Sequence, residues 1–188
     1  CDVTDLGIVP DTLEDTRDVL QQASENADLV ITSGGVSVGE EDYVRIALEE
    51  LGELSMWRIA MKPGKPVAFG KVNNALFMGL PGNPVSVFVT FLLFARPLIL
   101  KLQGLKVTGI NMQSVNAGFS FNAGKRQEYL RARIENDLTG SVVRLFPHQG
   151  SGVLSSASWA EGLIEIKPGE SVKQGDKVRF ISFNELSN

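Results

Sequence analysis

Hydrophobic positions in the first hundred residues recur with two periods. Residues 2–9 alternate loosely through Val3, Leu6, Ile8 and Val9 and predict a strand, which Pro10-Asp11-Thr12 breaks. Asp11 or Thr12 caps a helix whose inward positions are Leu13, Val19, Leu20 and Ala23 and which ends near Asn26. Leu29 to Thr32 has the length and β-branched content of a buried strand. It runs into a loop carrying Gly34, Gly35 and Gly39 with Ser33 and Ser37 among them, and a helical pattern resumes through Tyr43, Ile46, Ala47, Leu48 and Leu51. Leu54 to Met61 predicts the next strand. Val67 to Phe69 and Leu76 to Met78 predict two more, joined by a turn at Asn73-Asn74. Asn83 as N-cap and Pro84 at the first helical position open an apolar helix to about Leu102, with a kink expected at Pro97. This alternation predicts an α/β fold, a three-layer arrangement around a mostly parallel sheet.

After Gln103-Gly104 the texture changes. Tyr129 to Ile134 alternates as a strand does, and Val142 to Phe146, Gly162 to Ile166 and Lys177 to Phe183 follow the same pattern, with Gly, Asn or Pro every ten residues or so. The reading is a first domain over 1–104 and a small all-β, barrel-like domain over 105–188.

Composition narrows the classes. The hydrophobic share of 43% suits a globular chain with a sizeable core. No uninterrupted apolar run reaches the roughly 18–20 residues a bilayer requires; residues 85–100 come nearest, with Arg96 and Pro97 inside them. The single cysteine, Cys1, excludes an intramolecular disulfide and agrees with a cytoplasmic setting. The chain has no initiator Met, and a piece of something longer is expected. Residues 1–50 hold thirteen acidic and two basic side chains, and the remainder nine acidic and sixteen basic, giving about −11 and +7. An acidic half beside a basic one suits a cation site next to an anion site. The bases form no run interleaved with aromatics and the pI is about 5.1, so nucleic acid is not an expected partner.

Three loops carry candidate chemistry. The glycine loop at 34–39 lies between a strand and a helix, where glycine admits close approach and backbone N–H groups point at negative charge. It has neither a P-loop ending nor the dinucleotide glycine spacing. The second is Arg58 followed by Lys62-Pro-Gly-Lys65-Pro66. If extended like polyproline II, it puts Lys62 and Lys65 on one side; Gly64 alternatively turns the chain. The third is Gly79-Leu-Pro81-Gly82-Asn83-Pro84-Val-Ser86, a strand end, turn and helix start whose N–H groups and Ser86 hydroxyl are expected at the same sheet edge as the glycine loop. In the β domain, Arg131 and Arg133 share one strand face and are candidates to clamp an oxyanion, and His148-Gln149-Gly-Ser151-Gly is a polar loop. His148, the only histidine, has no acid or nucleophile beside it in sequence and reads as a turn residue. With no Ser-His-Asp, Cys-His or zinc spacing, the chemistry rests on positioning, charge and a hard cation held by carboxylates such as Asp11 and Asp42.

Ser33-Gly-Gly-Val-Ser-Val-Gly-Glu-Glu-Asp-Tyr43, Lys62 to Pro66 and Gly79 to Ser86, in this order and spacing, closely resemble the MoeA/gephyrin E-domain family of molybdopterin molybdenumtransferases. The glycine loop alone equally suits the related single-domain adenylyltransferases; the second and third motifs and Gln149 to Gly152 favour the transferase. The resemblance implies an incomplete molybdopterin-binding domain, lacking a strand and acidic loop before Cys1, then the C-terminal β domain. It implies an enzyme that takes adenylylated molybdopterin and molybdate, cleaves the phosphoanhydride with Mg²⁺, releases AMP and leaves molybdenum on the dithiolene. By position, Asp11 and Asp42 are the implied metal and pyrophosphate carboxylates. Ser33, Gly34, Gly35, Ser37 and Gly39 belong to the pterin-phosphate or nucleotide loop. Lys62, Lys65, Ser86, Arg131 and Ser151 surround the molybdate, and Arg58, Pro66, Pro81, Gly82, Asn83 and Pro84 complete the binding loops. A homodimer whose partner completes the site, and an adenylyltransferase partner, are implied too, so this chain alone is expected to have little activity. The competing readings are the adenylyltransferase itself, which would consume ATP, and a non-catalytic scaffold module.

Overall fold

The computed structural model describes residues 1–36, 43–106, 109–137 and 140–187. In chain order the elements are α1 (Leu13–Asn26), β1 (Leu29–Ser33), α2 (Tyr43–Leu51), β2 (Gly52–Arg58), β3 (Met61–Lys62), β4 (Pro66–Val72), β5 (Ala75–Leu80), α3 (Pro84–Thr90), a π-helical turn (Phe91–Ala95) and α4 (Arg96–Leu102). Then come β6 (Gln113–Ala117), β7 (Phe121–Asn122), β8 (Gln127–Asp137), β9 (Gly140–Leu145), α5 (Ser155–Trp159), β10 (Gly162–Ile166), β11 (Ser171–Val172), β12 (Lys177–Ser182) and α6 (Phe183–Ser187). They divide into two compact units. The first is residues 1–59, 66–82 and 94–107; the second is 60–65, 83–93 and 108–188. The lysine loop and the start of α3 therefore belong with the C-terminal strands.

The first unit holds a four-stranded sheet in the order β1-β5-β4-β2. β1 pairs parallel with β5, while β5–β4 and β4–β2 are antiparallel. The sheet is thus mixed rather than mostly parallel, because the Asn73-Asn74 turn makes β4 and β5 a hairpin; Asn73 takes φ +50°, which Asn tolerates. α1 and α2 cover one face. Leu20, Val44, Ala47 and Leu48 close there over Val30, Ala68, Val72, Ala75 and Phe77. Each such burial is worth roughly 1.5–3 kcal/mol for the larger side chains. On the opposite face Phe94 and Leu98 flank an apolar groove with Val67, Phe69 and Met78, the third layer. Thr12 caps α1 by accepting from the Asp15 N–H at 3.1 Å. Residues 2–9, expected as a strand, form none; all but the half-buried Val9 are exposed, Ile8 at 99%. Their alternation finds no partner ladder, and a strand without one has no backbone bonds.

From Pro84 to Leu102 the chain is helical throughout, with a π turn just ahead of Pro97, where the kink was expected. Pro97 has no N–H to give residue 93, and the wider turn just before it absorbs the mismatch. By length and composition this run of 19 residues is apolar enough to cross a membrane, against the sequence expectation. A third of its apolar window is buried, Val85, Val89, Leu92 and Ala95 among those residues.

In the second unit β8, β10, β12, β6 and β9 close on themselves into a five-stranded barrel, with β3 added at the edge of β8. The interior is filled by Ala117, Leu130, Ala132, Val143, Ile164, Ile166, Val178 and Phe180, every second residue of its strand.

Candidate functional site

In the first unit the glycine loop begins where the sequence places it. Gly34 donates its N–H to the Leu80 carbonyl at 3.0 Å, continuing the β1–β5 ladder one residue beyond the strand. Gly34 and Gly35 take φ +89° and +67°, and a Cβ on Gly35 would lie 2.6 Å from Val44 Cγ2. A Cβ on Gly82 would lie 3.6 Å from the Gly34 Cα, so the turns after β1 and β5 run side by side. The next loop residue, Val36, is buried against Gly79, where any Cβ would sit 2.4 Å from Val36 Cγ1. Ser33, Gly35 and Gly82 are exposed along this edge and Pro81 is buried. Ser37, Gly39 and Asp42 lie outside the described residues, as does the side chain of Arg58, the last residue of β2. Asp11 is exposed just ahead of the α1 cap. Among the described residues no three His, Cys, Asp or Glu side chains converge.

In the second unit the lysine loop is a turn. The chain bends at Pro63 and Gly64 has φ +107°, so the loop is turned and not extended. Pro63 and Gly64 are buried, and a Cβ on Gly64 would meet Thr90 Cγ2 of α3 at 2.4 Å. Lys62 and Lys65, at the two ends of this buried centre, are exposed. Pro66 belongs to the first unit as the opening residue of β4. β3 pairs parallel with β8, placing Lys62 opposite Glu128. Lys62 Nζ lies 3.1 Å from Glu128 Oε2, and Glu128 is only 4% exposed. Sequence reading passed over Glu128. The signal was its phase: it alternates with Leu130 and Ala132, the inward-facing residues of β8, and a carboxylate in that phase requires a partner.

The 148–151 loop is held from beneath. Arg131 is fully buried, and its Nε donates to Ser156 Oγ at 3.0 Å. Its Nη2 donates to the carbonyls of Gly150 at 3.1 Å and His148 at 3.4 Å. Gln149 closes the ring by accepting from the Arg131 N–H and donating to the Arg131 and Phe146 carbonyls, each at 2.9 Å. Burial lowers the Arg131 pKa to about 10, still far above neutrality, so the guanidinium stays charged. The Nε and Nη2 donors thus serve the Ser156 hydroxyl and two loop carbonyls. Arg133, on the same face, stacks over Trp159 at 4.4 Å and pairs with Glu135 at 2.5 Å. Ser151 is half-buried, and its carbonyl accepts the Val85 N–H at 3.1 Å. One N–H expected to face a ligand at the start of α3 is thereby taken. Asn83 and Pro84 are exposed there, and Ser86 is buried.

Beside Arg131 on β8, Gln127 and Tyr129 meet Glu165, which pairs with Arg179 at 3.1 Å. Burial first, then the Glu165 charge, raises the Tyr129 phenol above its ordinary 10. The fold therefore favours the neutral phenol. Above pH about 10 the unfolded chain ionises first, and this contribution to stability falls until the folded phenol ionises too. In alkaline titration followed at 295 nm, the step removed by Tyr129→Phe is expected above pH 10; a lost step at or below 10 would contradict it.

Residues 1–101 match a family model described as a probable molybdopterin binding domain, and residues 115–183 match the MoeA C-terminal region (domain IV). The chain is 39% identical over 197 aligned residues to the molybdopterin molybdenumtransferase of Haemophilus influenzae, covering 99% of this chain and 47% of that protein. It is 34% identical to the gephyrin of Dictyostelium discoideum over 97% of its own length and 29% of the relative's. A solved MoeA protein of molybdopterin biosynthesis from Pyrococcus horikosii aligns with a TM-score of 0.74 at 31% identity, over 94% of this chain and 42% of that one. The chain spans about half, or less, of the length of these proteins. With both family models on it in succession, the chain belongs to the MoeA family of molybdopterin-binding proteins.

Proposed function

We propose that this chain supplies part of a molybdopterin molybdenumtransferase, which moves molybdenum from molybdate onto adenylylated molybdopterin with release of AMP. The observation that carries the reading is the turn at 62–65, whose buried Pro63-Gly64 centre presents two exposed lysines from a rigid base. Molybdate is a dianion, and two ammonium groups are suitable donors for it. The Gly34–Gly35 and Pro81–Gly82 turns, lying together, support a separate role in holding the phosphates of the pterin nucleotide. Mg²⁺ at Asp11 and Asp42 is proposed on the family resemblance alone. A homodimer is proposed likewise. An adenylyltransferase partner rests on the resemblance.

Titration calorimetry of the chain with molybdate tests the reading. Lys62→Ala/Lys65→Ala is expected to weaken binding at least about 10-fold, the size of two lost charge-assisted contacts. Unchanged affinity in the double variant, or no molybdate binding by the wild-type chain, would overturn it.

A further inference from the structure

We propose that Glu128 is the positioning residue for Lys62. It holds the ammonium by one of its three donors and leaves the other two directed outward for an oxyanion. The inference rests on the reading of the 62–65 turn as an anion site, and it adds a residue to which neither the sequence motifs nor the family resemblance assigned a role.

The carboxylate is built into the unit. Its Oε1 accepts the Gly124 N–H at 3.1 Å. Its Oε2 is shielded from solvent and has no other hydrogen-bond partner among the described residues, yet lies 3.1 Å from Lys62 Nζ. A buried carboxylate deprived of its cation is costly, so the pair resists opening. The lysine backbone is fixed as well. Gln127 donates its N–H to the Ala60 carbonyl at 2.9 Å, and Arg126 Nη1 donates to the Met61 carbonyl at 3.3 Å. The side chain of Lys62 is 47% exposed, so its head is reached from solvent while its far side rests on Glu128. A lysine is a flexible four-carbon stem, and ordering it is a large part of what anion binding costs. Here that ordering is done before a ligand arrives.

The carboxylate also repels an anion, so the two views of Glu128 differ in sign. If it merely neutralised Lys62, removing its charge would tighten anion binding; if it positions Lys62, removal weakens it. Glu128→Gln keeps an acceptor for the Gly124 N–H and is expected to weaken molybdate binding about 3- to 10-fold in an otherwise wild-type chain. It should have no effect in a Lys62→Ala background. Unchanged or tighter binding, or equal losses in both backgrounds, would overturn the proposal. A second measurement needs no ligand. Acetylation of Lys62 by a water-soluble N-hydroxysuccinimide ester, followed by peptide mass spectrometry, should quicken several-fold in Glu128→Gln while Lys65 keeps its rate. An unchanged Lys62 rate defeats the proposal even in a chain that binds no molybdate, a result that would itself defeat only the transferase reading.

Discussion

Arg131→Ala is expected to lower the unfolding free energy by about 2–4 kcal/mol. Ser156 Oγ, on a fully buried residue, and the His148 and Gly150 carbonyls, on exposed ones, lose a donor; the buried loss costs roughly 1–3 kcal/mol and each of the others about 0.5–1.5 kcal/mol. The relief of a buried charge, the same burial that pulls the guanidinium pKa down to about 10, offsets part of this. Arg131→Lys should also destabilise, because an ammonium cannot fork to three acceptors. The urea midpoint measures the loss. Amide exchange locates it, since the Val85 N–H bonded to Ser151 should exchange faster once the loop is released. A loss below about 1 kcal/mol, with molybdate binding abolished, would return Arg131 to the role of anion ligand.

Phe77→Ala is expected to cost about 3–5 kcal/mol, the range for a buried aromatic reduced to a methyl. Phe77 is fully buried on β5, the strand that pairs with both β1 and β4. β5 also supplies Gly79, the seat of Val36, and Leu80, whose carbonyl fixes Gly34. The urea midpoint should therefore fall together with exchange protection at the Gly34 amide. A shift under about 1 kcal/mol, or full protection at Gly34, would contradict this account.

What the chain disclosed in advance was local. The Thr12 cap, the run into Gly34, the Asn73-Asn74 turn and the Asn83-Pro84 helix start each follow from neighbouring residues and were read at their places. What stayed hidden depends on partners far along the sequence. Val3 to Val9 alternates as a strand does, yet the ladder it would join is missing from the described residues. Met61-Lys62 is too short to announce itself and becomes a strand only through β8, about 65 residues later. The shared face of Arg131 and Arg133 followed from period two. Their partners did not, because the 148–151 loop and Trp159 come from later segments.

Strand β8 supports both polar loops of its unit. Glu128 reaches the lysine turn from one face, and Arg131, three residues on, reaches the 148–151 loop from the other. Odd spacing on a strand means opposite faces, and three residues mean a rise of about 10 Å. That interval works as a fixed ruler. The distance between the anchors of the two loops is set by residue count. Inserting or deleting one residue there would send an anchor to the wrong side of the sheet, so across relatives variation within 128–131 should take the form of substitutions and never of length.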